Sequence, residues 1–235
     1  KIRERLPLTI TLNSLAILVT FGVAIPLGIL SAVKTGSIAD RATTVLVFML
    51  YSLPSFWVGT LIIIFFCGGD FFHWFPPAGL HSLAYEPDWP LARRVGDYLY
   101  HLAMPLLVTT YGTFAFLSRV LRSSMLEAKS QDYVRTARAK GLGEKTVVLS
   151  HVLRNSMIPV VTVIALGIPQ IFGGAIITEQ VFKVNGIGQL LITAIQANDL
   201  PMVQTLTFIF AVLIVLFNLI ADVLYGILDP RIRYD

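Results

Sequence analysis

The chain has 235 residues, of which 55% are hydrophobic and only 14% are charged, and its mean hydropathy is +0.74. Soluble domains carry about 25% charged residues, so this composition excludes a soluble globular protein and indicates an integral membrane protein. The formal net charge of +4 does not indicate nucleic-acid binding, because the basic residues cluster beside apolar segments and form no aromatic and basic binding module. The single cysteine, Cys67, excludes an internal disulfide.

Five apolar segments are each long enough to cross a bilayer as a helix, which takes about 20 residues. They predict an all-α integral membrane protein, a bundle of five transmembrane helices. The predicted spans are residues 8–33, 42–67, 102–121, 157–181 and 202–228. Four of these spans contain proline, at Pro26, Pro54, Pro105 and, in the fourth span, the pair Pro159 and Pro169. Prolines at membrane depth usually mark packing kinks, and otherwise they line a cavity.

Residues 68–101, between the second and third predicted spans, form a polar segment. The segment has four acids against two arginines, and it contains several prolines and aromatic residues. This composition predicts an irregular loop on the outer side of the membrane, with Trp74 and Trp89 as anchors at the membrane surface.

Residues 118–159, between the third and fourth predicted spans, form the most basic segment of the chain. They hold eight of the 18 Lys and Arg residues, against three acids. Because basic loops beside membrane spans lie on the cytoplasmic side, this segment fixes the orientation of the chain. A simpler interpretation stays open, in which the basic residues only set the topology and bind lipid head groups.

This orientation places the remaining connections in turn. Residues 34–41 and the C-terminal tail lie inside, whereas residues 182–201 form a short connection outside. Lys1, Arg3 and Arg5 then also lie outside, against the usual bias of basic residues.

Two short helices are predicted within the basic segment. Asp132 is the predicted N-cap of the first, and Gly141 is its C-terminal stop. The second covers residues 144–155 and has an acid in its first turn, which suits the helix dipole. Helical spacing gathers apolar residues on one side of the first helix and basic residues on the other. The apolar residues are Tyr133, Val134 and Ala137, and the basic residues are Arg135 and Arg138. Two such helices on the inner face predict a docking surface for a soluble partner.

Polar, small and aromatic residues at membrane depth are the candidates for a solute path. In the second and fourth spans they are Ser52, Pro54, Phe56, Trp57 and Gln170. In the fifth span Asn218 and Asp222 share a helix face, and ionisable groups inside a membrane are costly enough to indicate a function. The alternatives are an interhelical hydrogen bond of this pair, or a contact of Asp222 with an inner arginine.

Motifs for catalysis are absent from the sequence. It has no glycine-rich phosphate loop with Lys and Ser or Thr, so we expect that this chain does not itself hydrolyse ATP. Its four histidines lack the spacing of metal ligands, and its serines form no nucleophile elbow. We therefore expect no enzyme activity, no metal site and no cofactor in this chain.

Five segments carry a resemblance to a known family. They are IPLGILSAVKTGS, SLPSFW, RSSMLE, YVRTARAKGLGEKTVVLSHVLRNSMIPVVT and DVLYGILDPRIR. The chain resembles the inner-membrane permeases of binding-protein-dependent ABC importers, in the dipeptide, oligopeptide and nickel subfamily. The general family has a cytoplasmic loop with Glu-Ala-Ala, three residues and Gly. Here the corresponding residues are Arg135, Thr136, Ala137 and Gly141, and the later proline is displaced to Pro159, a departure typical of the peptide subfamily.

The resemblance implies a function and a set of partners. The chain would be a single permease domain over residues 1–235 in a bacterial or archaeal cytoplasmic membrane. It would pair with a second permease subunit, identical or different, and with two ATP-binding subunits that hold ATP and Mg. A solute-binding protein would deliver solute outside. Six spans are typical of the family, so we expect that an N-terminal span is missing here. Di- or oligopeptides are the expected solutes, with nickel chelates, glutathione or another small solute as alternatives.

The resemblance also implies a role for the first short helix, from Asp132 to Gly141. This coupling helix would seat in a cleft of the ATP-binding subunit. Tyr133, Val134 and Ala137 would supply the apolar contact, and Arg135, Arg138 and Lys140 the charged rim. Two other classes stay open: a secondary transporter, which would need repeated halves with broken helices, and a membrane scaffold that moves no solute.

Overall fold

The computed structural model describes residues 1–68, 71–167 and 175–228, without the side chains of 164–167, 217 and 221–228. The helices of the described residues are α1 (Ile2–Val33), α2 (Ile38–Ser52), α3 (Ser55–Phe66), α4 (Leu91–Lys129), α5 (Asp132–Ala139), α6 (Glu144–Thr146), a π-helical segment (Val147–Leu153), α7 (Arg154–Gly167), α8 (Ile176–Val181), α9 (Ile187–Gln196) and α10 (Leu200–Leu228). The predicted all-α class is confirmed.

Four helical runs of the described chain are long and apolar enough to cross a bilayer, and a fifth results if α2 and α3 count as one span. The four are Ile2–Val33, Leu91–Lys129, Glu144–Val163 and Leu200–Ile220. These runs agree with the predicted membrane bundle of five spans.

The third span extends well beyond its predicted limits. Helix α4 has 39 residues and is about 58 Å long, roughly twice the thickness of the hydrocarbon core. Hydropathy detects only its apolar middle, because polar residues continue the helix at both ends. As a result the predicted loop over 68–101 ends at Pro90, and the end of α4 lies within the basic segment.

The second span is divided at Leu53 and Pro54. Leu53 has an extended conformation with ψ 129°, and Pro54 precedes α3 as its N-cap. Proline has no N–H to donate to the preceding turn, and it disfavours helical geometry in the residue before it. The predicted continuous span over 42–67 is therefore two helices.

Two further boundaries differ from prediction. The helix predicted over 144–155 does not stop there but continues through the π-helical segment into α7. The connection over 182–201, predicted as a short loop, contains α9, a helix of ten residues that is too short to be recognised as a span.

The chain divides into two compact units. The first comprises Lys1–Ala16, Pro54–Thr109 and Ala165–Asp235, and the second comprises Ile17–Leu53 and Thr110–Ile164. Each has its own buried apolar cluster. The cluster of the second unit joins α1, α4, α5 and the π-helical segment, and that of the first unit joins α1, α9 and α10. The single-domain assignment stays a prediction.

Gly28 allows α1 and α4 to approach closely in the second unit. A Cβ atom at Gly28 would lie 2.9–3.0 Å from three side-chain carbons of Leu121, which is fully buried. Gly22, on the same helix, would meet nothing within 4 Å. The two glycines therefore differ in packing although they share a helix.

We expect Gly28→Ala to lower the free energy of unfolding by about 1–3 kcal/mol, because the added methyl forces Leu121 to move. Gly22→Ala is the matched control, and it should leave stability unchanged or raise it, since alanine favours a helix. Thermal unfolding of the purified protein in detergent measures both. Equal loss in the two variants would contradict the close approach.

Candidate functional site

The predicted coupling helix is α5. Its N-cap is Gln131, and Asp132 is the first helical residue. The assignment of Asp132 as N-cap was therefore wrong by one position. The carboxylate of Asp132 still lies in the first turn, where the helix dipole favours a negative charge.

Gly141 ends this helix, as predicted. Its φ of +77° lies in the left-handed region that favours glycine. Its N–H donates to the carbonyl of Arg138 at 2.9 Å, and the N–H of Leu142 donates to that of Ala137 at 3.4 Å. These two bonds form a Schellman motif, which satisfies the last carbonyls of the helix and fixes the direction of the chain beyond it.

One side of α5 is buried in the chain itself. Val134 is fully buried and Ala137 is 4% exposed. Both belong to the same cluster as Val147, Val148 and Val152 of the π-helical segment. The expected apolar contact of Val134 and Ala137 with a partner therefore needs correction, because these side chains already contact their own chain.

The opposite side of α5 is exposed. Tyr133 is 39% exposed, and Arg135, Arg138 and Lys140 are exposed as well. Arg135 lies 3.5 Å from the carboxylate of Asp132, in an ion pair that water surrounds. Exposed pairs of this kind contribute little to stability. The exposed surface of Arg135, Lys140 and Tyr133 is therefore available to a partner.

Arg138 holds α5 to α6 across the turn at Gly141. Its Nε and Nη2 atoms donate to the two carboxylate oxygens of Glu144 at 3.1 and 2.8 Å. These hydrogen bonds favour the charged guanidinium and raise the pKa of Arg138 above its ordinary value. The contact is bidentate, which orients the two side chains towards each other across the turn.

A buried ion pair joins the turn between α1 and α2 to α4. The carboxylate of Asp40 accepts hydrogen bonds from Nε and Nη2 of Arg122, both at 2.9 Å. It also accepts from the N–H of Gly36 at 2.9 Å and from the hydroxyl of Ser31. The side chains of Asp40 and Arg122 are 6% and 18% exposed. This site therefore joins α1, α2 and α4 within the second unit.

The pair of Asp40 and Arg122 was missed by sequence reasoning, because 82 residues separate its members. The signal that could have found it is a lone acid at the start of one apolar segment and an arginine at the end of another, on the same predicted side. A second bond supports the same junction, since Nζ of Lys129 donates to the carbonyl of Ala32 at 2.9 Å.

The candidates for a solute path on α2 and α3 have exposed side chains. Ser52 is exposed on α2, where its hydroxyl donates to the carbonyl of Phe48 at 2.8 Å. Pro54 is exposed ahead of α3. Phe56 and Trp57, on α3, are 55% and 46% exposed. Large exposed aromatic and apolar faces indicate contact with lipid, a partner or a solute.

The other three candidates are only partly described. Gln170 lies outside the described residues. Asn218 is exposed on α10, and Asp222 lies on the same helix without a described side chain. Their shared face therefore stays a prediction.

The segment between α3 and α4 has the predicted aromatic residues in two different settings. Trp74 is 57% exposed, whereas Trp89 packs under the guanidinium of Arg93, whose Cζ lies 3.6 Å from the ring centroid. Asp97 on α4 accepts hydrogen bonds from the N–H and the hydroxyl of Ser82. The segment is thus fastened to α4, although the anchoring at a membrane surface stays a prediction.

Among the described residues, no group of three or more His, Cys, Asp or Glu side chains could hold a metal ion.

Known proteins resemble this chain along nearly its whole length. The family described as "Binding-protein-dependent transport system inner membrane component" matches residues 24–234. The oligopeptide transport system permease protein AppB of Bacillus subtilis is 39% identical over 233 residues, which are 99% of this chain and 71% of that protein. The dipeptide transport system permease protein DppB of Escherichia coli is 38% identical over 247 residues, covering 98% and 72%.

A third relative is a longer protein, and this chain matches a smaller share of it. The inner membrane ABC transporter permease protein YejB of Escherichia coli is 37% identical over 235 residues. The match covers 100% of this chain and 64% of that protein.

A solved structure shows the same fold. The crystal structure of an amino acid ABC transporter with histidines superposes with a TM-score of 0.64 at 10% identity, and the match covers 95% of this chain and 92% of that chain. The family match and the relatives confirm the resemblance seen in the five sequence segments. This chain therefore belongs to the family of inner membrane components of binding-protein-dependent transport systems.

Proposed function

We propose that this chain is a membrane-spanning permease subunit of an ATP-driven importer and that its solutes are di- or oligopeptides. The observation that carries the proposal is α5, a short helix with one side in the core of the chain and a basic side left exposed. Membership of the family and the peptide permeases among the relatives support it. The alternative solutes are nickel chelates, glutathione or another small molecule.

The proposed assembly contains four further proteins. A second permease, identical or different, completes the path, and two ATP-binding subunits hold ATP and Mg on the inner side. A solute-binding protein delivers solute outside. The whole assembly lies in the cytoplasmic membrane of a bacterium or an archaeon, with lipid around the spans. The chain itself contributes no ATP hydrolysis and carries no cofactor.

In this proposal, α5 seats its exposed side in a cleft of an ATP-binding subunit. Tyr133 supplies the aromatic contact, and Arg135, Arg138 and Lys140 form the charged rim, which sets orientation and encounter rate. The buried side transmits the movement of α5 to α7, because Val134 and Ala137 pack on the π-helical segment that continues into α7. Rigid movement of a packed helix is one of the common ways to switch a protein between two states.

The junction at Asp40 extends the same movement to other helices of the second unit. Since Arg122 holds Asp40 through two hydrogen bonds, the turn between α1 and α2 follows the end of α4. Opening this site would leave a buried charge without its partner, which is strongly unfavourable. We infer that α1, α2 and α4 respond together at this end.

The solute path is proposed to use the exposed side chains of α2, α3 and α10. Their candidates are Ser52, Pro54, Phe56, Trp57 and Asn218, together with Gln170 and Asp222 outside the described side chains. The exposure of Phe56 and Trp57 supports this role, because aromatic surfaces accept varied peptide side chains with little electrostatic selection.

Transport of peptide by the complete importer tests the proposal as a whole. Proteoliposomes containing both permeases and both ATP-binding subunits should take up a dipeptide or an oligopeptide only with ATP inside and the peptide-loaded binding protein outside. ATP hydrolysis should rise when that loaded protein is added. Uptake driven by an ion gradient without ATP would instead assign a secondary transporter.

The double variant Tyr133→Ala and Arg135→Glu should weaken the association with the ATP-binding subunit at least about 10-fold, because it removes an aromatic anchor and reverses a rim charge. Co-purification and ATP-dependent uptake measure this loss. The thermal unfolding midpoint of the isolated chain should change little, since both side chains are exposed.

Two controls define the outcome of this experiment. Arg3→Glu reverses an exposed charge on the opposite predicted side, and it should leave co-purification unchanged. Val134→Asp buries a charge in the core and should reduce folded protein. Normal co-purification and uptake of the Tyr133 and Arg135 double variant would refute the assigned role of α5.

Cysteine labelling tests the solute path in the assembled importer. In a Cys67→Ala background, Phe56→Cys should react with a membrane-impermeant maleimide, and the reaction should block uptake, because water fills the path. Leu18→Cys is the control, since Leu18 is 66% exposed in the isolated chain and lipid is expected to cover it. Reaction at Leu18 but not at Phe56 would contradict the proposed path.

A further inference from the structure

The first unit contains a buried carboxylate that the coupling mechanism does not use. Glu179, on α8, is 0% exposed. Its Oε1 accepts a hydrogen bond from the hydroxyl of Thr9 at 3.3 Å, and its Oε2 accepts one from the N–H of Gln189 at 2.8 Å. Buried polar groups need such partners, because an unsatisfied acceptor costs its full desolvation free energy. The carboxylate thus joins α8 to α1 and α9.

Thr9 completes this junction from α1. Its hydroxyl oxygen accepts a hydrogen bond from the N–H of Ile187 at 2.9 Å while its proton goes to Glu179. Thr9 is fully buried as well. One side chain of α1 therefore satisfies both the carboxylate of α8 and a free N–H in the first turn of α9.

The backbone before and within the first turn of α9 is shaped around the carboxylate. A Cβ atom at Gly186 would lie 2.3 Å from the carboxylate of Glu179, and one at Gly188 would lie 2.8 Å from the Cα of Ile176. A side chain at position 188 would thus collide with backbone, and one at position 186 would displace the carboxyl group of Glu179. The amides at the start of α9 can therefore approach the carboxyl group of Glu179 closely.

Apolar packing surrounds the same junction. Ile187 and Leu190 of α9 form a buried cluster with Leu206 of α10, and Ile2 and Leu6 of α1 pack against it. Separation of α9 from α1 would thus expose apolar surface and also leave a carboxylate, a hydroxyl and backbone N–H groups without partners. Unpaired polar groups in a region of low dielectric are especially costly.

We propose that Glu179 is a positioning residue of the transport cycle, which holds the start of α1, α8 and α9 together as one body in every state of the importer. This inference rests on the proposed function. The path then opens and closes at other contacts, because separating α1 from α8 and α9 would cost more free energy.

Crosslinking tests whether the body stays together. Leu6→Cys and Leu191→Cys, which replace two partly buried residues packed on the same cluster, are combined in a Cys67→Ala background. They are joined by disulfide formation or by short cleavable crosslinkers of graded length. We expect the crosslinked importer to retain its ATP-dependent peptide uptake, with the single-cysteine variants as controls. Loss of uptake that returns on cleavage would overturn the inference, because it would show that α1 and α9 must separate.

Substitution of Thr9 tests the role of Glu179 from the opposite side. Thr9→Val keeps the shape but removes the bridging hydroxyl, and it should lower coupled uptake at least about 10-fold. The level of membrane-inserted protein and its ATP hydrolysis without peptide should persist. Thr9→Ser keeps the hydroxyl and should restore uptake. Equal uptake in the Val and Ser variants would overturn the positioning role.

Glu179→Gln adds a second readout through its coupling with Thr9. Thr9→Val already removes the hydrogen bond between the two side chains. The loss of uptake on Glu179→Gln should therefore be smaller in the Thr9→Val background than with threonine present. Purely additive losses would contradict the bridge.

The failure of the proposed function and the failure of this inference can be distinguished. If the unmodified importer shows no ATP-dependent uptake at all, the proposed function fails. If it transports and only the crosslinked form stops, this inference alone fails.

Discussion

The packing of α5 against the π-helical segment is the contact on which the proposed mechanism depends. Val134 and Ala137 are buried beside Val147, Val148 and Val152, and the Schellman motif fixes the end of the helix. Helix α5 is therefore part of the core of its own unit. In the proposed mechanism, force applied to its basic side reaches the continuing helical run through contacts within the chain itself.

Buried carboxylates organise both compact units, in two chemically different ways. In the second unit a guanidinium neutralises Asp40, which holds the turn between α1 and α2 to α4. In the first unit neutral hydroxyl and N–H donors hold Glu179. A buried polar or charged group is tolerated only when such partners satisfy it. Each site thus joins helices within its own unit.

The membrane class, the basic segment and the stop at Gly141 could all be predicted from sequence, because composition and single residues determine them locally. The buried side of α5 could not, since apolar spacing shows that a face will be covered but not by which chain. The contacts of Asp40 and Glu179 also escaped prediction, because their partners are distant in sequence. Helix α9 was missed because it has only ten residues, which is too short for a membrane span.

Photo-crosslinking from α5 in intact membranes tests the central claim most directly. A photoreactive amino acid in place of Arg135, whose side chain is 76% exposed, should form a covalent adduct with the ATP-binding subunit of the importer. An adduct with the solute-binding protein, or with lipid alone, would contradict the account, because it would place α5 on the wrong side of the membrane or away from the ATPase.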